Sequence, residues 1–224
     1  MGAGETKRPT GEPLRLPRAF YDRPTLAVAQ DLLGKVLVHR TPRGVASGLI
    51  VEVEAYIGEA DPACHAAPGP TLRNRPLYGP AGFSYVYLNY GVHYLTNVVT
   101  EAEGSPAAVL LRALEPLEGV DIMRRRRAET AGSRELSEYE LCRGPGNLSR
   151  ALGISLAQNW MDLEGRSLFI EDRGYRVGRI AWGPRIGITV GTEHHWRCYV
   201  IGSEAVSGPR RRKRDLVPSM KNRK

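Results

Sequence analysis

The densest chemistry in this chain lies in Glu52-Val53-Glu54-Ala55-Tyr56. The surrounding run from Ile50 to Tyr56 is β-branched and alternating, which predicts a half-buried strand. Alternate residues of a strand share a face, so Glu52, Glu54 and Tyr56 project together, opposite Val51, Val53 and Ala55. A carboxylate beside an aromatic ring at a strand's end suits a general base next to a stacking platform. For two glutamates alone, a solvated charged face is the more ordinary reading. Downstream residues decide between the two.

Arg112 falls inside the apolar run Ala107 to Leu114, where a cation is costly unless a carboxylate on a neighbouring strand pairs with it. Tyr85 and Tyr87 make an aromatic stripe, suited to core packing or to base stacking. Tyr90-Gly91 reads as a hairpin tip from which a side chain can protrude, and Asn97 lies on the returning strand. Between these strands, residues 58–82 form a long irregular segment with five prolines. Loops of that length are functional or disordered. This one carries Asp61, His65 and the cluster Arg73-Asn74-Arg75, and its arginines suit contact with a nucleic-acid backbone.

The elements that must position these residues are legible in outline. A helix is expected from Pro24 to Leu33, and a hairpin from Lys35–Arg40 into the glutamate strand. Further strands are expected at Ser84–Tyr90, Tyr94–Thr100, Ala107–Leu114, Ser167–Glu171, Arg185–Val190 and Trp196–Ile201. Pro116–Arg127 reads as a helix ending in four arginines, Ser137–Glu140 as a capping box, and Gly144-Pro145-Gly146-Asn147 as a Gly-rich helix start. Strands and helices without a βαβ rhythm predict an α+β fold: one compact domain with a curved, mainly antiparallel β-sheet flanked by helices. The expected boundaries are a disordered arm over 1–15, the folded domain over 16–203 and a basic disordered tail over 204–224.

Net charge is +8, with Arg far outnumbering Lys in the body: no lysine occurs between Lys35 and Lys213. Arg makes bidentate phosphate contacts that Lys cannot, so the charge favours a nucleic-acid partner. Three scattered cysteines argue for a reducing compartment and against a disulfide scaffold. No C-x-x-C or H-E-x-x-H spacing is present, so neither metal nor cofactor is expected. The N-terminal residues lack the apolar block of a secretory signal, and no run is long enough for a membrane span. The expected location is therefore the cytoplasm or nucleoid, or the nucleus in a eukaryote. Met1 to Thr6 fits a myristoylation pattern too loose to carry weight.

In order, Glu52-Val53-Glu54-Ala55-Tyr56, His65, Arg73-Asn74-Arg75, Tyr85-Val86-Tyr87 through Tyr90-Gly91 to Asn97, Leu110 to Pro116, and Gly144-Pro145 form a set. That set resembles the alkyladenine type of 3-methyladenine DNA glycosylase, from about Leu16 to Ser203. The resemblance implies a monofunctional base-excision enzyme acting on double-stranded DNA, and a monomer fits an enzyme that scans DNA. It would flip an alkylated or deaminated purine out of the duplex and hydrolyse its N-glycosidic bond. By the same resemblance Glu54 is the general base, and Arg112 helps to hold the water and Glu54. Tyr56, His65 and Tyr87 line the base pocket, Asn97 crowds the exocyclic amine of undamaged guanine, and Tyr90 is the intercalating wedge. Glu52 keeps a supporting role. A lyase needs an amine nucleophile, and with Lys35 the sole lysine of the body no strand cleavage is expected.

Two rival readings use the same residues. A metal-dependent nuclease would gather Glu52, Glu54, Asp61 and His65 around a cation. A non-catalytic binding module would use the tyrosines and arginines for single-strand stacking.

Overall fold

The computed structural model describes residues 13–132 and 134–208. In chain order the elements are β1 (Leu14–Arg15), α1 (Arg18–Tyr21), α2 (Thr25–Leu32), β2 (Val36–Thr41), β3 (Gly44–Ile57), β4 (Ser84–Asn89), β5 (His93–Val99) and β6 (Ala107–Glu118). They continue with α3 (Val120–Ala131), α4 (Pro145–Leu152), β7 (Leu168–Asp172), β8 (Ile180–Gly183) and β9 (Arg197–Val200). Every strand pair is antiparallel, in the order β1-β7-β2-β3-β6-β5-β4. The β8–β9 hairpin joins through β9 to residues 52–54 of β3. Since β6 covers one edge of β3, β2 and β9 share the other. The fold is the expected α+β domain built on one antiparallel sheet.

Strand β3 is its axis. It is buried from Ala46 to Ala55 on both faces, not the one that alternation predicted. Packing from the segments after β8 and β9 replaces solvent on the glutamate face. Two β-bulges interrupt its pairing with β6. Ile50 faces Leu114, Glu52 faces Ala113 and Val53 faces Leu111, so Val51 and Arg112 are the extra residues. Bulges re-aim side chains, and these two bracket Glu52 and set Arg112 across from both glutamates.

Several expected elements differ. The helix predicted over 116–127 begins only at Val120, because β6 runs on to Glu118. Pro116, which cannot donate to the ladder, sits beside a third register shift, between Ser47 and Gly48. Gly119 then breaks the strand at φ 73°; a Cβ there would lie 2.2 Å from the Val45 carbonyl oxygen. The four arginines consequently fall inside α3 and not in its last turn. They brace other segments instead: Arg124 donates to the carbonyl of Leu136, Arg126 to that of Ala151 and Arg127 to that of Leu141.

The strand predicted over Arg185–Val190 is an irregular loop, and the true strand there, β8, precedes it. Pro184 and the positive φ of Gly187 prevent continuation. Most of the predicted arm and tail lies outside the described residues. At their inner edges, Leu14–Arg15 pair with β7, and residues 204–208 pack on the sheet, with Ala205 fully buried.

Candidate active site

Glu54 is fully buried, yet it makes three hydrogen bonds. Its Oε1 accepts the backbone N–H of Ile186 at 2.7 Å. Its Oε2 accepts Arg112 Nη1 and the Tyr56 hydroxyl, each at 3.0 Å. Burial pushes its pKa above the ordinary glutamate range, against the opposing pull of Arg112, Ile186 and Tyr56. Glu52 is equally buried and accepts Arg112 Nε at 3.2 Å, Arg197 Nε at 2.7 Å, and both the N–H and hydroxyl of Ser207. The two glutamates thus differ in kind. Glu52 takes four donors, three of them on Oε1, while every donor to Glu54 belongs to a residue of the pocket wall.

That pocket has a volume of about 500 Å³ and is lined by Tyr56, His65, Tyr85, Tyr87, Asn97 and Arg112, among others. Its size and aromatic walls fit a flat heteroaromatic group. Tyr87 stands 5.2 Å from Tyr85 and 4.4 Å from His65, ring centre to ring centre. His65 bonds through Nδ1 to the Tyr85 hydroxyl at 2.9 Å. Burial, then the Arg73 charge, hold its imidazole below the ordinary histidine range. Burial pushes the Tyr87 phenol up to about 12. At neutral pH the aromatic part of the wall is therefore uncharged imidazole and phenol. Asn97 Nδ2 donates to the Tyr85 carbonyl at 3.0 Å, which fixes the amide between β4 and β5.

Tyr90 lines the mouth and is 88% exposed at the β4–β5 tip. Tyr90 at φ 49° and Gly91 at φ 69° form a tight left-handed turn, closed by the Val92 N–H on the Asn89 carbonyl, in the three-residue loop between the paired Asn89 and His93. Arg73 and Arg75 are exposed. Arg73 also lies over Tyr87, 5.7 Å from the ring centre, and donates to the Leu88 carbonyl. Between them Asn74 is buried. Its Nδ2 donates to the carbonyls of His65 and Gly69, and its Oδ1 accepts the Thr71 N–H. This residue fastens the loop that presents His65.

Sequence reasoning missed Arg185. Its side chain is wholly buried, bound to both Asp61 oxygens at 2.6 and 2.8 Å and to the Ala55 carbonyl, and it lies 4.7 Å from the Tyr56 ring centre. It ties the long loop to the loop that carries Ile186. An arginine inside Ile180 to Ile188, an otherwise apolar run, carries the signal that marked Arg112. Burial opposes ionisation of Asp61, but the Arg185 bonds outweigh it and lower its pKa.

The nuclease set therefore does not converge. Asp61 is held by Arg185, Glu52 and Glu54 share Arg112, and His65 is bonded to Tyr85. Among the described residues, no three His, Cys, Asp or Glu side chains are placed to hold a metal ion.

A buried, arginine-braced carboxylate thus lies behind an aromatic pocket with room for a flat ring. Residues 19–204 match the family model described as Methylpurine-DNA glycosylase (MPG). A Rubrobacter xylanophilus protein is 51% identical over 81% of this chain and 91% of its own. Proteins of Methanocella arvoryzae and Chlorobaculum parvum are each 48% identical, over 86% and 88% of this chain and 95% and 92% of theirs. All three names contain the words 3-methyladenine DNA glycosylase. The chain belongs to the methylpurine-DNA glycosylase family. Its reaction class is hydrolysis of an N-glycosyl bond in DNA, a step of DNA repair. No helix among the described residues is long and apolar enough to cross a membrane.

Proposed function

We propose that the protein is a monofunctional, monomeric glycosylase that flips alkylated purines out of double-stranded DNA and hydrolyses their N-glycosidic bond with a Glu54-activated water. The substrates are 3-methyladenine and 7-methylguanine, with hypoxanthine as the deaminated candidate. One observation carries the reading: Glu54 is buried against the pocket wall with one acceptor position unused. A carboxylate offers about four lone-pair sites. Three are filled by Arg112, Tyr56 and Ile186, and the fourth, on Oε1, is left to take a proton from water.

The chemistry follows from charge. N3- and N7-alkylated purines are cationic, so they are already good leaving groups. Neutral Tyr56, Tyr87 and His65 attract such a ring without the repulsion an imidazolium would add, each aromatic face contributing about 0.5–2 kcal/mol. What remains is to aim a water at an oxocarbenium-like sugar carbon, which one carboxylate accomplishes. A raised Glu54 pKa makes it a stronger base, fully ionised only above the ordinary glutamate range. Arg112, by donating to Oε2, steers the free lone pair to Oε1. Asn97, which lines the pocket, would crowd the exocyclic amine of an undamaged guanine, and Arg73 and Arg75 would meet phosphates.

The test is release of free 3-methyladenine from alkylated DNA in excess chelator, with the abasic strand left intact. Undiminished release with no borohydride-trapped complex is expected. Chelator inhibition would restore the nuclease reading, and a trapped complex would overturn the monofunctional one.

Tyr90 supplies a second expectation. Filling the gap left by a flipped base offsets unstacking, and stacking on an aromatic is worth about 1–3 kcal/mol. Tyr90→Ala should therefore lose about 10- to 100-fold in excision from duplex DNA. Excision from a single-stranded oligonucleotide should change little. Equal losses on both substrates would assign Tyr90 to the pocket instead.

A further inference from the structure

We propose that Ser207, in the C-terminal segment behind the pocket, is a positioning residue that holds the Arg112 guanidinium on Glu54. The inference rests on Glu54 being the base. Ser207 lies beyond the family match, which spans 19–204.

The guanidinium of Arg112 stands between two buried carboxylates and divides itself between them: Nε to Glu52 and Nη1 to Glu54. Nothing in that pair of contacts prevents it from turning fully onto Glu52. The third contact does. Arg112 Nη2 donates to Ser207 Oγ at 3.0 Å, and the same hydroxyl donates its proton to Glu52 Oε1 at 2.9 Å. The Ser207 N–H adds a 2.6 Å bond to Glu52 Oε2. One serine thus bonds to both Glu52 oxygens and gives Nη2 an acceptor of its own, which holds the fork against swinging onto Glu52 and keeps Nη1 on Glu54.

The serine is itself fastened. Arg197 Nη2 donates to its carbonyl at 3.3 Å, Arg143 Nη2 donates to the Gly208 carbonyl at 3.1 Å, and Ala205 is buried just before it. These contacts use backbone atoms or other residues, so removing the hydroxyl leaves the segment in place.

Glu54 is faced by Glu52 and Tyr56 on β3, Arg112 on β6, Tyr87 on β4, Arg197 on β9 and Arg185 on the loop after β8. Of these, Arg112 is the cation bonded to it. If Arg112 turns away, the carboxylate loses that stabilisation and its protonation moves to higher pH.

The experiment compares wild type with Ser207→Ala, Ser207→Cys and Ser207→Thr. Two readouts are used: pH profiles of single-turnover purine release, and 13C NMR titration of the Glu54 carboxyl in labelled protein. In the Ala and Cys variants, release should fall about tenfold, the size of one hydrogen bond to a charged group. Their acid limb and Glu54 titration should both move upward, with KM unchanged, and Thr should restore all of these. A folded Ala or Cys variant with the wild-type limb and titration would overturn the proposal. Should Ala fail to fold, Cys, which keeps the volume but bonds weakly, decides alone. If wild type releases no purine, the glycosylase reading fails, while the titration still decides for or against Ser207.

Discussion

Glu54→Gln is expected to reduce purine release by about 100- to 10,000-fold, the usual contribution of a positioned general base, while damaged-DNA binding persists. The amide keeps the volume and surrenders the basicity. It also creates a conflict visible in the bonding. Glu54 accepts at both oxygens, from Ile186 on one side and from Arg112 and Tyr56 on the other. Either orientation of a glutamine turns its NH2 toward an N–H donor. The tyrosine hydroxyl can reverse its role, but Ile186 and Arg112 cannot. A stability loss of about 1–3 kcal/mol should accompany the loss of catalysis. Single-turnover release and a binding titration on the same preparation, with circular dichroism as the fold control, separate the two effects. Retained release in the folded variant would remove Glu54 from the base role.

Arg112→Met should have the largest effect on stability, about 3–5 kcal/mol, because it strips a buried charge from its partners. The side chain is 6% exposed, so solvent does not soften that cost. Glu52 keeps Arg197 and Ser207, whereas Glu54 loses its one bonded cation. The sign of the pH effect follows. Glu54 already titrates above the ordinary range, and the base is the ionised form, so release climbs as pH rises through that pKa. Without Arg112 the pKa rises further and the acid limb moves to higher pH. Thermal denaturation and a pH–rate profile check both parts. A downward shift of the limb would show that Arg112 does not stabilise the carboxylate.

Those two residues were also the most legible from the amino-acid sequence, and for a physical reason. A lone arginine in an apolar strand requires a buried carboxylate, and a Glu–Tyr pair on an alternating strand offers one. The strands β4 and β5 were equally legible, because alternation and an obvious turn at Tyr90-Gly91 are local signals.

What resisted reading was non-local. The continuation of β6 past Pro116 depends on a register shift that leaves Leu117 as an extra residue on β6. The Arg185–Asp61 clamp joins residues 124 positions apart. The Arg185–Val190 run has the composition of a strand, but Pro184 and Gly187 remove the backbone geometry a ladder needs. Ser207 fell within a stretch whose basic composition signalled a tail, and only packing on Glu52 draws it into the fold.

The paired bulges around Glu52 have a consequence for how this sheet can change. Ile50 opposite Leu114 and Val53 opposite Leu111 belong to a single alignment, so the extra residue on β3 is cancelled by the extra residue on β6. The displacement begins and ends within a few residues. From Gly48 to Ile57 the alignment on either side is that of an uninterrupted ladder. The two buried glutamates thus occupy an enclave whose irregularity does not propagate. Side chains within it can be exchanged, and chemistry retuned, without renegotiating the alignment of the strands that carry them.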